Sequence, residues 1–419
     1  MRTKISVALC ALSLVACRGA ERYLDHNSHE VALPAEIKRP NNIADMNSNL
    51  VAASNAFGFD LFQQLLRQAA NKNVFFSPLS VMVALGMTYN GAAGETKTGM
   101  ERALKIEGMN LADLNRASSV LIEALKSSDP KIELAIANSL WTRGGMRFNE
   151  DFLERARRFY GAKISSLDFK NPESVATINN WVSGATKGKI GRIIDQINSE
   201  QVIFLINAVY FKGGWQKIFD KTLTKEQPFH LPDGHQRPAQ MMAQSGDYLY
   251  LHGDKFQAVS LPYGNGSVTL YLFLPEQGSS VDEFLKGLSY QQWERWVNNF
   301  KKTRGDVKLP RFKLDYEKKL NDPLKELGMG VAFNPQKADF SGIHAEKGLY
   351  ISEVKHKAIV EVNEEGTEAA AATSVGIAGT SASAPRERFT FIADRPFLMA
   401  IRDSQTGAIL FMGAVMEPN

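Results

Sequence analysis

The stretch Glu364-Glu-Gly-Thr-Glu-Ala-Ala-Ala-Ala-Thr-Ser-Val-Gly-Ile-Ala-Gly-Thr-Ser381 is the most informative part of this 419-residue chain. Its residues are small, and none of them is charged after Glu368. It follows one strand-like run at 357–363 and precedes another at 389–393. A patternless connection of about 25 residues is long for a compact domain, where loops beyond about 12–15 residues are usually functional or disordered.

The stretch also has a period of two residues. Alternate positions from Thr367 onward are small and apolar or hydroxylated, whereas the intervening positions from Glu368 onward are tiny or polar. Side chains alternate between the two faces of a strand, so the segment could enter a sheet without burying a charge. Alanine-rich runs also form helices or plain linkers, and composition leaves these alternatives open.

The sequence around this stretch resembles that of the serpins, the serine protease inhibitor family. Residues 364–367 and 369–372 match the family's hinge, which begins the reactive-centre loop. The resemblance extends over about residues 49–419. Further family motifs stand in order at 73–80, 205–215, 354–358, 394–402 and 409–413.

The resemblance implies an α+β fold with a single serpin-like domain at 49–419. It implies a large central mixed sheet, a smaller barrel-like sheet region, eight to nine helices and an exposed reactive-centre loop at about 364–388. Hydrophobic patterns place helices mainly early and strands mainly late, which also suits an α+β fold. We predict helices at 50–69, 111–126, 150–160 and 178–187, and one that starts at Ser77-Pro78. We predict strands at 202–211, 268–274, 307–314, 359–362, 389–392, 397–401 and 409–415.

The activity that the resemblance implies is suicide inhibition of serine proteases. The target protease would attack a bond in the loop and form an acyl-enzyme, and the cut loop would then insert as a new central strand. Cysteine proteases share the acyl step and are further candidate targets. No proline interrupts residues 366–380, and their one charge falls on the outward row, so we predict a hinge competent for insertion. By resemblance the hinge consists of Glu364, Gly366, Thr367, Glu368, Ala369, Ala370, Ala371 and Ala372.

The family pattern also implies a reactive bond. Counting sixteen residues from Glu364 places it between Thr380 and Ser381. A small, uncharged residue before the bond suits elastase-like or subtilisin-like pockets. A neighbouring small residue is one alternative, and Arg386 or Arg388, which would suit a trypsin-like protease, is another.

The resemblance further implies a polar cluster of Ser77, Ser80, Asn207 and His356 beneath the central sheet, which gates strand separation. The sequence contains no H-E-x-x-H pair, no G-x-S-x-G elbow and no cysteine beyond residue 17. We therefore predict neither a metal site nor a cofactor, and an inhibitor instead of an enzyme. His356 is either a buried hydrogen-bonded histidine or a base in a hydrolase. The other alternative is a non-inhibitory serpin that acts as a binding or chaperone-like module.

The N-terminus predicts export. Arg2 and Lys4 precede twelve apolar or small residues at 5–16, too few to span a bilayer, so residues 1–16 fit a signal peptide. The run Leu14-Val-Ala-Cys17 resembles a bacterial lipobox, which implies lipid attachment at Cys17; an ordinary signal peptide is the alternative. Residues 17–48 would then be a lipidated cysteine and a flexible tether.

The net charge and the predicted export limit which classes of partner and which locations the protein can have. A net charge of +4, from 49 basic and 45 acidic residues, argues against nucleic acid as the main partner. We expect a monomer that is either held by its lipid in the cell envelope, at the outer membrane if the cell is Gram-negative, or secreted.

Overall fold

The computed structural model describes residues 48–126, 129, 131–279, 281–346, 348–367 and 388–418. These residues form nine α-helices and fifteen strands, which confirms the α+β fold. The helices are α1 Ser48–Arg67, α2 Pro78–Tyr89, α3 Gly94–Leu104, α4 Leu111–Lys126, α5 Glu150–Tyr160, α6 Glu173–Ala185, α7 Val281–Lys286, α8 Tyr290–Val297 and α9 Asn321–Leu324. The strands are β1 Val74–Phe76, β2 Ile132–Arg143, β3 Lys163–Leu167, β4 Ile203–Gly214, β5 Lys225–His230, β6 Gln236–Gly253, β7 Phe256–Tyr263, β8 Val268–Pro275, β9 Lys301–Pro310, β10 Phe312–Lys319, β11 Ile351–Asn363, β12 Gly366–Thr367, β13 Phe389–Ile392, β14 Phe397–Asp403 and β15 Ile409–Val415.

One sheet has six strands in the order β10-β11-β12-β4-β2-β3 and is mixed in direction. Strand β4 is buried along nearly its whole length, as its continuous apolar run predicts for a strand covered on both faces. Helix α6 covers one face, where Ile178 and Val182 pack with Trp141 of β2 and Phe204 of β4. Helix α6 corresponds to the helix predicted at 178–187 but begins earlier, at Glu173.

The other face of this sheet is covered by α2. Every residue of α2 is buried, because the helix is built from apolar and small side chains. Ser77 caps its N-terminus by accepting a hydrogen bond from the Ser80 amide, and Pro78 occupies the first turn, where no amide donor is needed. The predicted start at Ser77-Pro78 is therefore confirmed.

The second sheet has nine strands. Eight follow the order β1-β15-β14-β8-β7-β6-β9-β13, and β5 pairs with β6. Most neighbours are antiparallel, but β13 runs parallel to β9. Aromatic rings join the two sheets, because Phe411 of β15 packs against Phe211 of β4 with ring centroids 5.8 Å apart.

The predicted single strand at 307–314 is wrong. Strand β9 ends at Pro310 and β10 begins at Phe312, in the other sheet. Arg311 lies between them and donates its amide to the Gln240 carbonyl at 2.8 Å. The run at 307–314 therefore spans a crossing between sheets. Its apolar positions change phase at the crossing, from Val307 and Leu309 to Phe312 and Leu314, whereas a single strand would keep one phase.

Strand β10 forms one edge of the six-stranded sheet and carries charges that pair with β11. Lys357 of β11 bonds Asp315 and Glu317, at 3.3 and 3.2 Å. Lys355 bonds Glu317 as well, at 2.7 Å. Charged side chains of this kind discourage a further strand from pairing with a free edge.

Candidate functional site

Two central strands of the six-stranded sheet pair directly along only part of their length. Strands β11 and β4 are parallel partners from Ile351–Ile203 to Ile359–Tyr210, and we call this stretch the seam. Beyond the seam β12 lies between them. Thr367 pairs with Gly213 of β4 on one side and with Val362 of β11 on the other, antiparallel to both. The gap between the two strands is therefore already open at one end and holds the first residues of the hinge.

A tight turn brings the chain from β11 back into this gap. Strand β11 ends at Asn363, whose side-chain oxygen accepts the amides of Glu365 and Gly366, at 3.0 and 3.3 Å. Gly366 has a φ of +147°, and a Cβ there would lie 2.1 Å from the Gly213 carbonyl oxygen. Only glycine fits both this backbone conformation and this close approach.

The side chain of Glu364 anchors the turn, and it is only 2% exposed. Its carboxylate accepts a 2.7 Å hydrogen bond from Arg311 Nε, forms an ion pair with the same guanidinium and accepts the Thr224 hydroxyl. Burial opposes ionisation of Glu364, but these hydrogen bonds outweigh it and hold the pKa of the carboxyl below its usual range. Next to it, Glu365 bonds Lys221 at 2.5 Å.

Thr367 is fully buried at the end of the described hinge. Its hydroxyl forms a 2.8 Å hydrogen bond with the Tyr263 hydroxyl. The Tyr263 ring stacks on Trp215 with centroids 4.4 Å apart, and Trp215 Nε1 donates to the Asn363 carbonyl at 2.8 Å. The two stacked rings thus connect β12, through Thr367, with the end of β11, through Asn363.

A row of polar side chains crosses the seam. His356 of β11 lies opposite Asn207 of β4, which lies opposite Asn138 of β2. His356 Nδ1 donates to Asn207 Oδ1 at 2.5 Å, and Asn207 Nδ2 donates to Asn138 Oδ1 at 2.5 Å. From α2, the Ser80 carbonyl accepts a 3.1 Å hydrogen bond from Asn207, and the Ser77 amide donates to His356 Nε2 at 3.3 Å. The structure therefore brings together all four residues of the predicted polar cluster and adds Asn138.

His356 is neutral in this row. Its Nδ1 acts as a donor and its Nε2 as an acceptor, so both ring nitrogens are engaged. Burial lowers the pKa of His356 to about 3, because a charged ring would lose its hydration. Two alternatives were open for His356, a buried hydrogen-bonded histidine and a base in a hydrolase. This environment matches the first, because neither ring nitrogen is free to act as a base.

The position of the loop's first residues differs from the expectation. The sequence predicts that an exposed loop begins near residue 364, whereas the structure buries Glu364, Gly366 and Thr367. The reason is the gap between β11 and β4, which offers backbone partners to both residues of β12. The remaining predicted site residues, namely Cys17, Glu368, Ala369, Ala370, Ala371, Ala372, Thr380, Ser381 and Arg386, lie outside the described residues.

Several residues of the site were not predicted. Arg311 lies within the run at 307–314, which was predicted as one strand. Trp215 closes a family motif but carried no sign of contact with the hinge, and Tyr263 comes from a hairpin far away in sequence. Asn138 offered one signal, because it and Ser139 interrupt an otherwise apolar stretch at 134–141.

Neither a metal site nor a membrane span is found in the part of the chain that the structure describes. No three histidine, cysteine or acidic side chains there come close enough together to hold a metal ion. None of the described helices combines the length and the apolar character that crossing a membrane requires.

Acid should destabilise the folded protein through His356. In the unfolded chain a histidine takes up a proton with a pKa of about 6.5, whereas the folded ring stays neutral down to about pH 3. The unfolded state therefore binds more protons below pH 6.5, and stability falls by up to about 1.4 kcal/mol for each pH unit. Denaturant unfolding from pH 7.5 to 5.0 measures this slope. His356→Asn should lack this part of it, and equal slopes in the two proteins would contradict the assignment.

Removing the carboxylate of Glu364 should release the hinge from the gap. Glu364→Ala leaves Arg311 without its partner, and we expect a loss of about 1–3 kcal/mol because Arg311 is 42% exposed and can be solvated. Hydrogen exchange at the Thr367 amide should accelerate. Glu364→Gln, which retains an acceptor, is the control and should show a smaller effect. An unchanged exchange rate in the alanine variant would show that the ion pair does not hold β12.

Known proteins share both the sequence and the architecture. The family described as "Serpin (serine protease inhibitor)" matches residues 52–418. Serpin B9 of Homo sapiens is 37% identical over 376 residues, which cover 87% of this chain and 98% of the relative. Antithrombin-III of Mus musculus is 36% identical over 387 residues, and leukocyte elastase inhibitor A of Rattus norvegicus is 34% identical over 381. Each covers 88% of this chain, and the matches span 82% and 99% of the two relatives.

Solved structures match as well. The native state of tengpin, a thermophilic serpin, superposes with a TM-score of 0.80 at 35% identity, covering 88% of this chain and 94% of that one. Human thyroxine-binding globulin gives a TM-score of 0.79 at 27% identity, with coverage of 88% and 98%. Because sequence and fold agree over most of the chain, this protein belongs to the serpin family.

Proposed function

We propose that this protein is an irreversible suicide-substrate inhibitor of serine proteases, which traps the acyl-enzyme by inserting its cleaved loop along the seam. The observation that carries the proposal is β12, whose two residues already pair with both β11 and β4. Further residues of the same segment would extend these two ladders. Cysteine proteases, which form an analogous acyl intermediate, are candidate targets too.

Hydrogen bonding favours this insertion. The seam is a single parallel ladder, and an inserted strand would replace it with two antiparallel ladders. Antiparallel pairing is slightly more stable per residue than parallel pairing. At about 1 kcal/mol net per hydrogen bond, an insertion of roughly ten residues would stabilise the molecule by on the order of 10 kcal/mol.

The side chains that follow Thr367 offer little resistance to insertion. Thr367 points to the buried side, where it bonds Tyr263. Strand alternation would place Ala369 and Ala371 on that same side and Glu368 on the opposite one. Since no proline occurs between Thr367 and Thr380, every inserted residue could donate its amide to a neighbouring strand.

The row of polar side chains that crosses the seam would resist insertion of the loop until β11 and β4 separate. The hydrogen bond between His356 and Asn207 spans the seam, so separating β11 from β4 must break it. A buried donor or acceptor left without a partner costs about 1–3 kcal/mol. We propose that Ser77, Ser80, Asn207 and His356 hold the seam closed until the inserting strand replaces the lost backbone pairs.

We propose Thr380–Ser381 as the reactive bond, with elastase-like or subtilisin-like proteases as targets. The small residues before the bond support this choice. Arg388 is a weaker alternative, because its guanidinium bonds Asp306 at 3.1 Å and the next residue begins β13. A bond so close to a paired strand has little freedom to extend into a protease cleft.

We also propose that the mature chain is attached to the cell envelope through a lipid on Cys17. The support is the run Leu14-Val-Ala-Cys17 and the polar residues that follow it. Labelling of the wild-type protein, but not of Cys17→Ala, with a radioactive fatty acid would test this attachment.

Replacing Thr367 with arginine should convert the protein from an inhibitor into a substrate. The site of Thr367 is fully buried, and an unpaired guanidinium there would block the first step of insertion. The protein is incubated with elastase, subtilisin and trypsin, and adducts that survive SDS are measured on gels. Mass spectrometry of the released peptide identifies the reactive bond.

Glu368→Arg is the matched control, because it places the same group on the outward row and should still trap protease. Stable trapping by Thr367→Arg would refute the insertion mechanism. Cleavage of the wild-type protein without any adduct would refute inhibition itself.

A further inference from the structure

Two large hydrophobic side chains are strongly exposed among the described residues, and each lies near one end of the reactive loop. Leu223 is 50% exposed and precedes Thr224, which bonds Glu364 at the start of the loop. Leu249 is 45% exposed and lies on β6. Strand β6 pairs with β9, and β9 pairs with β13, where the chain returns from the loop.

Leu249 shares one face of these strands with several polar side chains. It lies directly opposite Lys302 of β9, and alternation places Arg304 on the same face. Thr390 of β13 lies opposite Asp306 and is also exposed on this face. We call Leu249, Lys302, Arg304 and Thr390 the Leu249 face.

The other side of the same strands is packed, which fixes the orientation of the Leu249 face. Phe389 lies over Gly305, where a Cβ would approach its ring to 2.4 Å. Its ring stacks on Tyr250 with centroids 4.0 Å apart. Lys301 lies opposite Tyr250 and therefore belongs to this second side, one residue away from Lys302.

The charges of the Leu249 face leave one lysine unmatched. Arg388 forms an ion pair with Asp306, whereas Arg304 lies opposite Asp247 but forms no ion pair with any described residue. Lys302 forms no ion pair with any other described residue, although it is exposed directly beside Leu249. The face therefore combines an exposed leucine with an uncompensated positive charge.

We propose that the Leu249 face is a second docking surface for the target protease, which would meet it with an apolar side chain flanked by a carboxylate. This inference rests on the proposed function and adds a contact outside the reactive loop. An exposed leucine and a free ammonium group are complementary to such a patch, and the contact would raise the rate of docking more than it changes later steps.

The reactive loop ends beside the Leu249 face, so a protease bound to the loop would lie close to this face. Arg388, which is tied to Asp306 there, follows the proposed reactive bond by only eight residues. Eight residues span at most about 28 Å, and a typical protein interface covers about 800 Å² on each partner, or roughly 28 Å across. A protease that holds the reactive bond therefore lies within contact distance of the Leu249 face.

The test compares Leu249→Ser and Lys302→Glu with the wild-type protein. The second-order rate constant of adduct formation is measured with whichever of elastase, subtilisin and trypsin the wild-type protein traps fastest, in 50 and 300 mM NaCl. Each variant should react about tenfold more slowly in 50 mM NaCl, and the effect of Lys302→Glu should shrink in 300 mM NaCl. The number of inhibitor molecules consumed per trapped protease should not change, because docking precedes insertion.

Lys301→Glu is the matched control, with the same charge change on the packed side of the same strand. In 50 mM NaCl it should slow the reaction less than Lys302→Glu does, and in 300 mM NaCl, where charges are screened beyond about 6 Å, it should stay within about twofold of the wild-type rate. Equal slowing by Lys301→Glu and Lys302→Glu, or wild-type rates in Leu249→Ser and Lys302→Glu, would overturn the docking surface and leave the proposed function standing.

Failure of the proposed function gives a different result. If the wild-type protein is cleaved without an adduct, inhibition is refuted, and the variants are compared by the rate of loop cleavage. Tenfold slower cleavage of Leu249→Ser and Lys302→Glu would still support the docking surface, and equal cleavage would overturn it. If none of the three proteases cleaves or binds the wild-type protein, both proposals fall.

Discussion

The structure depends on an incomplete contact between two neighbouring strands. Strands β11 and β4 pair directly along the seam but diverge where β12 lies between them. The divergence requires Gly366, because any Cβ there would collide with the Gly213 carbonyl. It also requires Glu364, whose carboxylate is held by Arg311 and Thr224. The remainder of the site either keeps this gap open at one end or keeps the seam closed below it.

One kind of polar contact holds the seam closed, and a different kind holds the turn that carries β12. Across the seam, His356 and Asn207 form a neutral hydrogen-bonded row, so separation of the strands leaves no buried charge behind. At the turn, Glu364 stays ionised against a half-exposed arginine. A neutral row resists opening by a few kcal/mol at most, whereas a buried charge would make opening far more costly. The neutral row would thus allow the seam to open in the proposed mechanism, whereas the ionised Glu364 holds the turn in place.

The sequence predicted the fold well wherever a local pattern or a family motif covers the residues concerned. The continuous apolar run of β4 and the Ser77-Pro78 helix start are examples. It failed at Arg311, because the run at 307–314 was predicted as one strand although its apolar positions change phase between Leu309 and Phe312. The burial of Thr367 was also beyond prediction, since it depends on Tyr263 from a distant hairpin and on the backbone of two other strands. Alternation indicated that the segment could enter a sheet but gave no indication of how far it had entered.

The charged edge of the six-stranded sheet has a consequence for how the sheet can grow. Lys355 and Lys357 bind the acidic side chains of β10, so this outer strand is a poor template for pairing. A sheet that accepts strands at its border can lengthen without limit, as fibrils do. In the proposed mechanism the position that accepts a strand is internal, between β11 and β4, and inserting one strand fills it. A molecule that works as proposed would be used only once, because inserting its own loop fills the single position that the sheet offers.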